Sequence, residues 1–207
     1  MRRWLQYGGF AAGIVLIAFG AVAIAMGVNG RSTVNDSLRL EKIVGSPDMT
    51  PPLIAAAVKE AGLKNVDLPT CSVAGVTISN GSQARCFASY MRIHALEASA
   101  GLTYSEMPRF ASADGKGTSD AAAAVKGTTG QPLDNPVRAV WVSETAFATA
   151  LNVSYMASQL ALFGIVVGIA LLLSGIGFIV LAAFGMVRLA ASAVQPKPQV
   201  STTPATA

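Results

Sequence analysis

The chain has 207 residues, a net charge of +4, 52% apolar side chains and only 13% charged ones, a balance typical of membrane proteins and not of soluble domains. The positive surplus rests on Arg2, Arg3, Arg188 and Lys197, while acidic and basic residues cancel between them. The alkaline isoelectric point is therefore a topological signal, and it excludes a case for nucleic-acid binding.

No charged residue lies between Arg3 and Arg31, or between Glu144 and Arg188. About 20 apolar residues suffice to cross a bilayer as a helix, so each stretch holds one span. The expected fold class is a mainly α membrane protein: two transmembrane helices flanking a small, mostly helical exported domain. Residues 1–6 form a cytoplasmic N-terminus, 7–28 the first span, 29–158 the exported loop domain, 159–187 the second span and 188–207 a disordered cytoplasmic tail. The positive-inside rule puts both termini in the cytoplasm of a cell membrane and the centre outside.

In the first span, Trp4 and Tyr7 stand where an interfacial aromatic belt belongs. A cleaved signal peptide is the rival reading, because Ala23-Ile-Ala25 fits a small-x-small cleavage site. An uncleaved signal anchor is favoured, because the apolar run is longer than the usual signal core. Residues 29–46 lead away with mixed charge and partial helix over 38–44. Thr50 before Pro51 and Pro52 marks a helix over 51–61 that stops at Gly62. The alternating, β-branched stretch 73–78 reads as a short strand or extended stretch running into an Asn80-Gly81 turn.

Residues 82–98 read as an amphipathic helix with Phe87, Tyr90, Met91, His94 and Ala98 on its apolar face. Cys71 and Cys86 are the only cysteines, both in the loop domain, and an even count in an exported domain predicts one disulfide. The Gly-, Ala- and Thr-rich stretch 112–136 reads as a flexible loop with at most one short helix over 120–126. Pro136 then starts a helix with no further proline or glycine until Gly164, so the second span is expected to project from the membrane as one long helix over 137–191. Its membrane-proximal part, 137–158, offers Val140, Phe147, Leu151 and Tyr155 as a docking stripe, with Glu144, Asn152 and Ser154 as expected buried polar groups.

Small residues recur along both spans: Gly9, Gly13, Gly20 and Gly27 in the first, and Ala161, Gly164, Gly168, Gly175 and Ala182 in the second. Intervals of four and seven keep them on one face, where close backbone approach drives packing in lipid. The spans pack on each other, or one face recruits a second copy or another membrane protein. The lipid bilayer is the partner expected in either case.

No cofactor, metal site or catalytic set is expected. His94 is the sole histidine, whereas catalytic metal sites and Ser-His-Asp arrangements draw on more than one lone imidazole placed on an apolar helix face. A buried, hydrogen-bonded structural role is expected for it. No phosphate-binding glycine loop, nucleophile elbow or dinucleotide fingerprint occurs. The stretch Asp114-Gly-Lys-Gly-Thr-Ser-Asp120 lacks the alternating ligands of a calcium loop.

The segment from Val76 to Arg85, with Tyr90, Ile93-His94, Thr103-Tyr104, Ser143-Glu144-Thr145, Leu151 and Tyr155, resembles uncharacterised actinobacterial membrane proteins with two spans around one exported domain. The likeness covers most of residues 31–185. Some of those proteins carry an automatic name implying an aromatic ring-opening dioxygenase, whose iron needs several histidine and carboxylate ligands that one histidine does not supply. The cysteine pair is not part of the resemblance. The expected function is a non-enzymatic binding or organising component of the bacterial cell envelope. The alternative is a sensor signalling through the second span, and an envelope enzyme ranks last.

Overall fold

In the computed structural model the backbone is described over residues 2–193, with side chains for Trp4 and residues 7–184. Among the described residues four helices follow one another: α1 (Arg2–Leu40), α2 (Pro51–Glu60), α3 (Gly81–Ala98) and α4 (Pro136–Ala193). Two compact units form, one from residues 2–27 and 163–193, the other from Val28–Leu162, and α1 and α4 contribute to both.

In the first unit α1 and α4 are each long and apolar enough to cross a membrane. Their large side chains point outward, with Phe19, Met26, Leu173 and Phe184 each between 65% and 69% exposed, the reverse of a soluble core helix. Glycine decides how they meet. A Cβ on Gly13 would lie 2.7 Å from the Gly175 carbonyl oxygen, and one on Gly175 would lie 2.7 Å from that of Gly13. Gly20 and Gly168 repeat the relation at the same 2.7 Å. The pairing runs up one helix and down the other, so the helices are antiparallel. Seven-residue spacing returns a residue to the same seam of a left-handed pair, and backbone this close allows Cα–H contacts to carbonyl oxygens. Gly9 and Gly164, the four-residue partners of Gly13 and Gly168, sit more loosely: their Cβ positions lie 3.5 Å from Ala182 Cβ and 3.8 Å from the Ala23 oxygen. Gly27 is buried.

In the second unit the helix expected over 38–44 is instead the end of α1, which continues unbroken to Leu40. Beyond Lys42, at φ 51, the chain turns back. Residues 43–49 then lie beside 73–78: Ile78 N–H donates to the Ile43 carbonyl at 2.9 Å and Val73 N–H to that of Met49 at 3.1 Å. The expected strand is reduced to isolated bridges, Val44 with Thr77 and Gly45 with Ala74. The two segments are too short for a ladder, and they meet so closely that a Cβ on Gly45 would overlap the Val73 carbonyl.

Helix α2 starts at Pro51 as its sequence dictates, although the Thr50 hydroxyl makes no cap hydrogen bond. It ends in a Schellman turn: Gly62, at φ 66, donates to the Lys59 carbonyl and Leu63 to that of Val58. Asn80-Gly81 does not form a turn of its own but opens α3. Asn80 is the N-cap of α3, its Oδ1 accepting from Gln83 N–H at 3.0 Å, while Gln83 Oε1 accepts from Ser79 N–H at 2.9 Å.

The buried face of α3 also differs from the expected one. Ala84, Cys86, Ala88, Tyr90, Ile93 and Ala95 are buried, Phe87, Met91 and His94 are half-buried, and Ala98 is exposed. The small alanines face inward because α2, α4 and the 43–49 segment crowd around this helix. Tyr90, Ile54, Ile78, Ile93 and Val73 are the largest fully buried side chains and centre a core that also takes in Leu38 of α1 and Leu151 of α4.

The stretch 112–135 forms no helix or strand, in keeping with the loop reading, and is tied by isolated bridges. Phe110 exchanges hydrogen bonds with Thr118 at 2.8 and 2.9 Å and bridges to Asp134, while Ala111, Val125 and Leu133 link through backbone N–H and C=O. Helix α4 starts at Pro136 as expected and runs past Arg188 to Ala193, so residues 188–193 are helical and not disordered. The rest of the expected tail lies outside the described residues.

The expected docking stripe on α4 is displaced. Val140 and Phe147 are 47% and 50% exposed, whereas Trp141, Glu144 and Leu151 are buried, with Val137 and Ala148 half-buried beside them. That set steps by four and three, a regular helix seam. Of the polar groups expected on it only Glu144 is buried; Asn152 is exposed and Ser154 half-buried, each bonded to the carbonyl four residues back. The buried polar residues otherwise are Ser99 and Asn135.

Candidate functional site

The two cysteines meet in the second unit, with Sγ atoms 2.06 Å apart and a sequence separation of 15. The bridge ties the start of α3 to the segment that leads into Val73. Tyr90, fully buried, donates its hydroxyl to the Cys71 carbonyl at 2.6 Å. Burial, and then the nearby Asp48 charge, push this phenol above its usual range, so it remains a neutral donor.

Helices α3 and α4 run antiparallel along a seam of three contacts. At one end a Cβ on Gly81 would lie 2.9 Å from Tyr155 Cα, so only glycine admits this approach. One turn on, the Arg85 guanidinium stacks 4.8 Å over the Tyr155 ring. At the other end Arg92 lies 4.0 Å over Trp141 and 3.4 Å from Glu144 Oε2. Glu144 is only 5% exposed, so Arg92 is the charge that compensates its burial.

His94 is half-buried, not buried. Its Nε2 stands 3.1 Å from Asp48 and its Nδ1 3.0 Å from Glu97, so carboxylates hold both ring nitrogens. A hydrogen bond from Ser46 holds the Asp48 carboxyl below its ordinary range against a weaker opposing effect of burial, with smaller help from a backbone hydrogen bond and the His94 charge. A histidine held on both sides presents no free lone pair to a nucleophile. The two carboxylates approach opposite nitrogens, which does not make a shared cation site. Among the described residues no three His, Cys, Asp or Glu side chains converge as metal ligands.

Beside this seam, a groove of about 590 Å³ lies between Met91, His94 and Ala95 of α3 and Val140, Ser143 and Phe147 of α4. A second, of about 410 Å³, lies between α4 and residues Leu38, Glu41 and Ile43. Phe147, half exposed, forms a wall of both.

No family model, curated protein or solved structure matches the chain. Function therefore rests on the geometry alone. Of the residues singled out in the sequence, Cys71 joins Cys86, Gly13 meets Gly175 and Gly20 meets Gly168; Gly9 and Gly164 line the same helix pair less tightly, and Gly27 is buried. Sequence reasoning missed Arg92, Trp141, Asp48 and Gly81. The four-three spacing through Val137, Trp141, Glu144, Ala148 and Leu151 carried the Trp141 signal, but the exposed Val140 and Phe147 lie one position away from it.

Proposed function

We propose that this is a two-span protein of a bacterial cell envelope, allied to the actinobacterial proteins it resembles, whose disulfide-stapled domain lies outside the cytoplasm and acts as a non-catalytic binding or organising module. The observation that carries this reading is the Cys71–Cys86 bridge in a domain joined on both sides to apolar helices. Such bridges persist in oxidising compartments and are rare in the cytosol. The positive tails favour cytoplasmic termini. The anchor reading of the first span gains support from Gly13 and Gly20, since cleavage after Ala25 removes both from their contacts with α4. The engaged nitrogens of His94 speak against an iron-dependent ring-opening activity. The groove around Phe147 offers an apolar surface for a partner.

The test is thiol labelling and protease access in spheroplasts, followed by co-purification in mild detergent. Cys71 and Cys86 should stay unlabelled until reduced, and protease added outside should cut the central domain. A stoichiometric membrane partner should co-purify. A protected centre, or free thiols without reductant, refutes the topology, and turnover by the purified protein refutes the non-catalytic role. The unbroken α4 favours a second reading, transmission of an outside signal to a cytoplasmic partner.

A further inference from the structure

At the start of α4 lies a cavity of about 670 Å³ whose walls include Tyr104, Arg109, Asp134, Asn135, Arg138 and Ser143. Its size is that of a small-ligand site. Two features set it apart from an ordinary polar surface.

The first is the state of its arginines. Neither Arg109 nor Arg138 joins an ion pair among the described residues. Each is held by an aromatic face instead: Arg138 stacks 4.0 Å over Tyr104 and Arg109 lies 5.1 Å over Phe110. Stacking fixes the plane of a guanidinium and leaves its N–H edge free to donate.

The second is that their spacing is built in. Asn135 is buried and holds together the two backbones that carry the arginines. Its Nδ2 donates to the Pro108 carbonyl at 3.0 Å and its N–H to that of Arg109 at 2.9 Å, while its own carbonyl accepts from Arg138 N–H at 3.1 Å. Gly117 makes room for this clamp, because a Cβ there would lie 2.8 Å from Asn135 Nδ2. The backbones that carry the two cations are thereby held at a fixed spacing, with Arg138 half-buried and Arg109 exposed, and a fixed spacing lowers the cost of bringing both to one ligand.

We infer that this cavity binds the phosphoryl group of an anionic ligand. One bidentate arginine already satisfies the two oxygens of a carboxylate, whereas two guanidiniums on one cavity suit the larger oxygen set of a phosphate. The cavity also lies at the N-terminal, positive end of a long helix. Asp134 on the same wall leaves one net positive charge, which favours a phosphoryl group of low charge over a polyphosphate. The assignment rests on the binding-module reading but not on membrane orientation, so the two fail separately.

The experiment is isothermal titration of the full-length protein in uncharged maltoside micelles at low salt. The probes are inorganic phosphate, then mixed micelles carrying phosphatidylglycerol, with phosphatidylcholine as control. Saturable phosphate binding is expected, weakened at least tenfold by Arg109→Gln and by Arg138→Gln, strengthened by Asp134→Asn and unchanged by Arg39→Gln. Phosphatidylglycerol binding tighter than phosphate, with the same arginine dependence, identifies a lipid headgroup as the source; binding of free phosphate alone identifies a soluble phosphoryl ligand. Absence of saturable phosphate binding, or equal binding by wild type and both arginine variants, overturns the inference. Asp134→Asn supplies a gain-of-binding arm that a misfolded arginine variant does not affect, and an Asp134→Asn protein that binds no more tightly also counts against the site.

Discussion

Removing the Cys71–Cys86 bridge is the perturbation whose size follows most directly from the structure. The bridge closes a loop with a sequence separation of 15, for which chain entropy gives a stabilisation of about 3 kcal/mol. That loop carries Val73 and Ile78, 1% and 0% exposed, and its first carbonyl receives the Tyr90 hydroxyl, so loosening it frees part of the core as well as the chain. The variant Cys71→Ala/Cys86→Ala should therefore unfold at lower urea. With a denaturant slope of about 1–3 kcal/mol/M, the midpoint falls by about 1–3 M. Fluorescence in maltoside micelles follows the transition, because Trp141 is buried in the domain whereas Trp4 is exposed from the outset. Wild-type protein treated with reductant should reproduce the variant. A midpoint shift corresponding to less than about 0.5 kcal/mol, the range of an ordinary surface change, would show that the bridge does not hold this domain together.

Gly20→Val and Gly168→Val should each force α1 and α4 apart and lower the apparent Tm in detergent, whereas Gly8→Val, with open space around it, should leave it unchanged; equal effects at all three positions sink the glycine contact. Arg92→Ala should destabilise the domain by about 2–3 kcal/mol, because it strands the buried Glu144, whereas Glu144→Ala should cost less, because Arg92 is half exposed and regains water. Urea midpoints of the two variants decide it, and the opposite order refutes the account. The folded Asp48 carboxyl titrates below its ordinary range, so its contribution is present above the unfolded value and is lost as pH falls through the lower folded value. Asp48→Asn should flatten the acid limb of the stability profile below about pH 4, by little since the side chain is about half exposed, and an unchanged limb rules the contribution out.

The long-range plan was legible because it depends on coarse physics. Runs without charge determine two apolar helices, Pro51 and Pro136 start helices where their fixed φ fits, and Gly62 ends one. Local signals failed where tertiary contacts reassigned them. Asn80-Gly81 has the composition of a hairpin turn, yet Asn80 caps a helix and Gly81 serves interhelical approach, a fact held by Tyr155 and Ser158 far along the chain. The buried face of α3 departs from its pattern of large apolar residues because limited space puts alanines inward. The seam of α4 was missed because it contains Glu144, whose burial depends on an arginine of another helix. The phosphoryl cavity had no sequence signature, since Arg109 and Arg138 converge only through the Asn135 clamp.

The contacts of Gly13 with Gly175 and of Gly20 with Gly168 restrict how the gene can change in length. One codon inserted between the paired positions rotates everything beyond it by about 100° and swings a glycine out to be replaced by a bulkier neighbour. Seven codons restore the facing. Indels between the paired glycines of either apolar helix should therefore be poorly tolerated, since even seven residues, which restore the facing, shift one glycine by about 10 Å along the other helix.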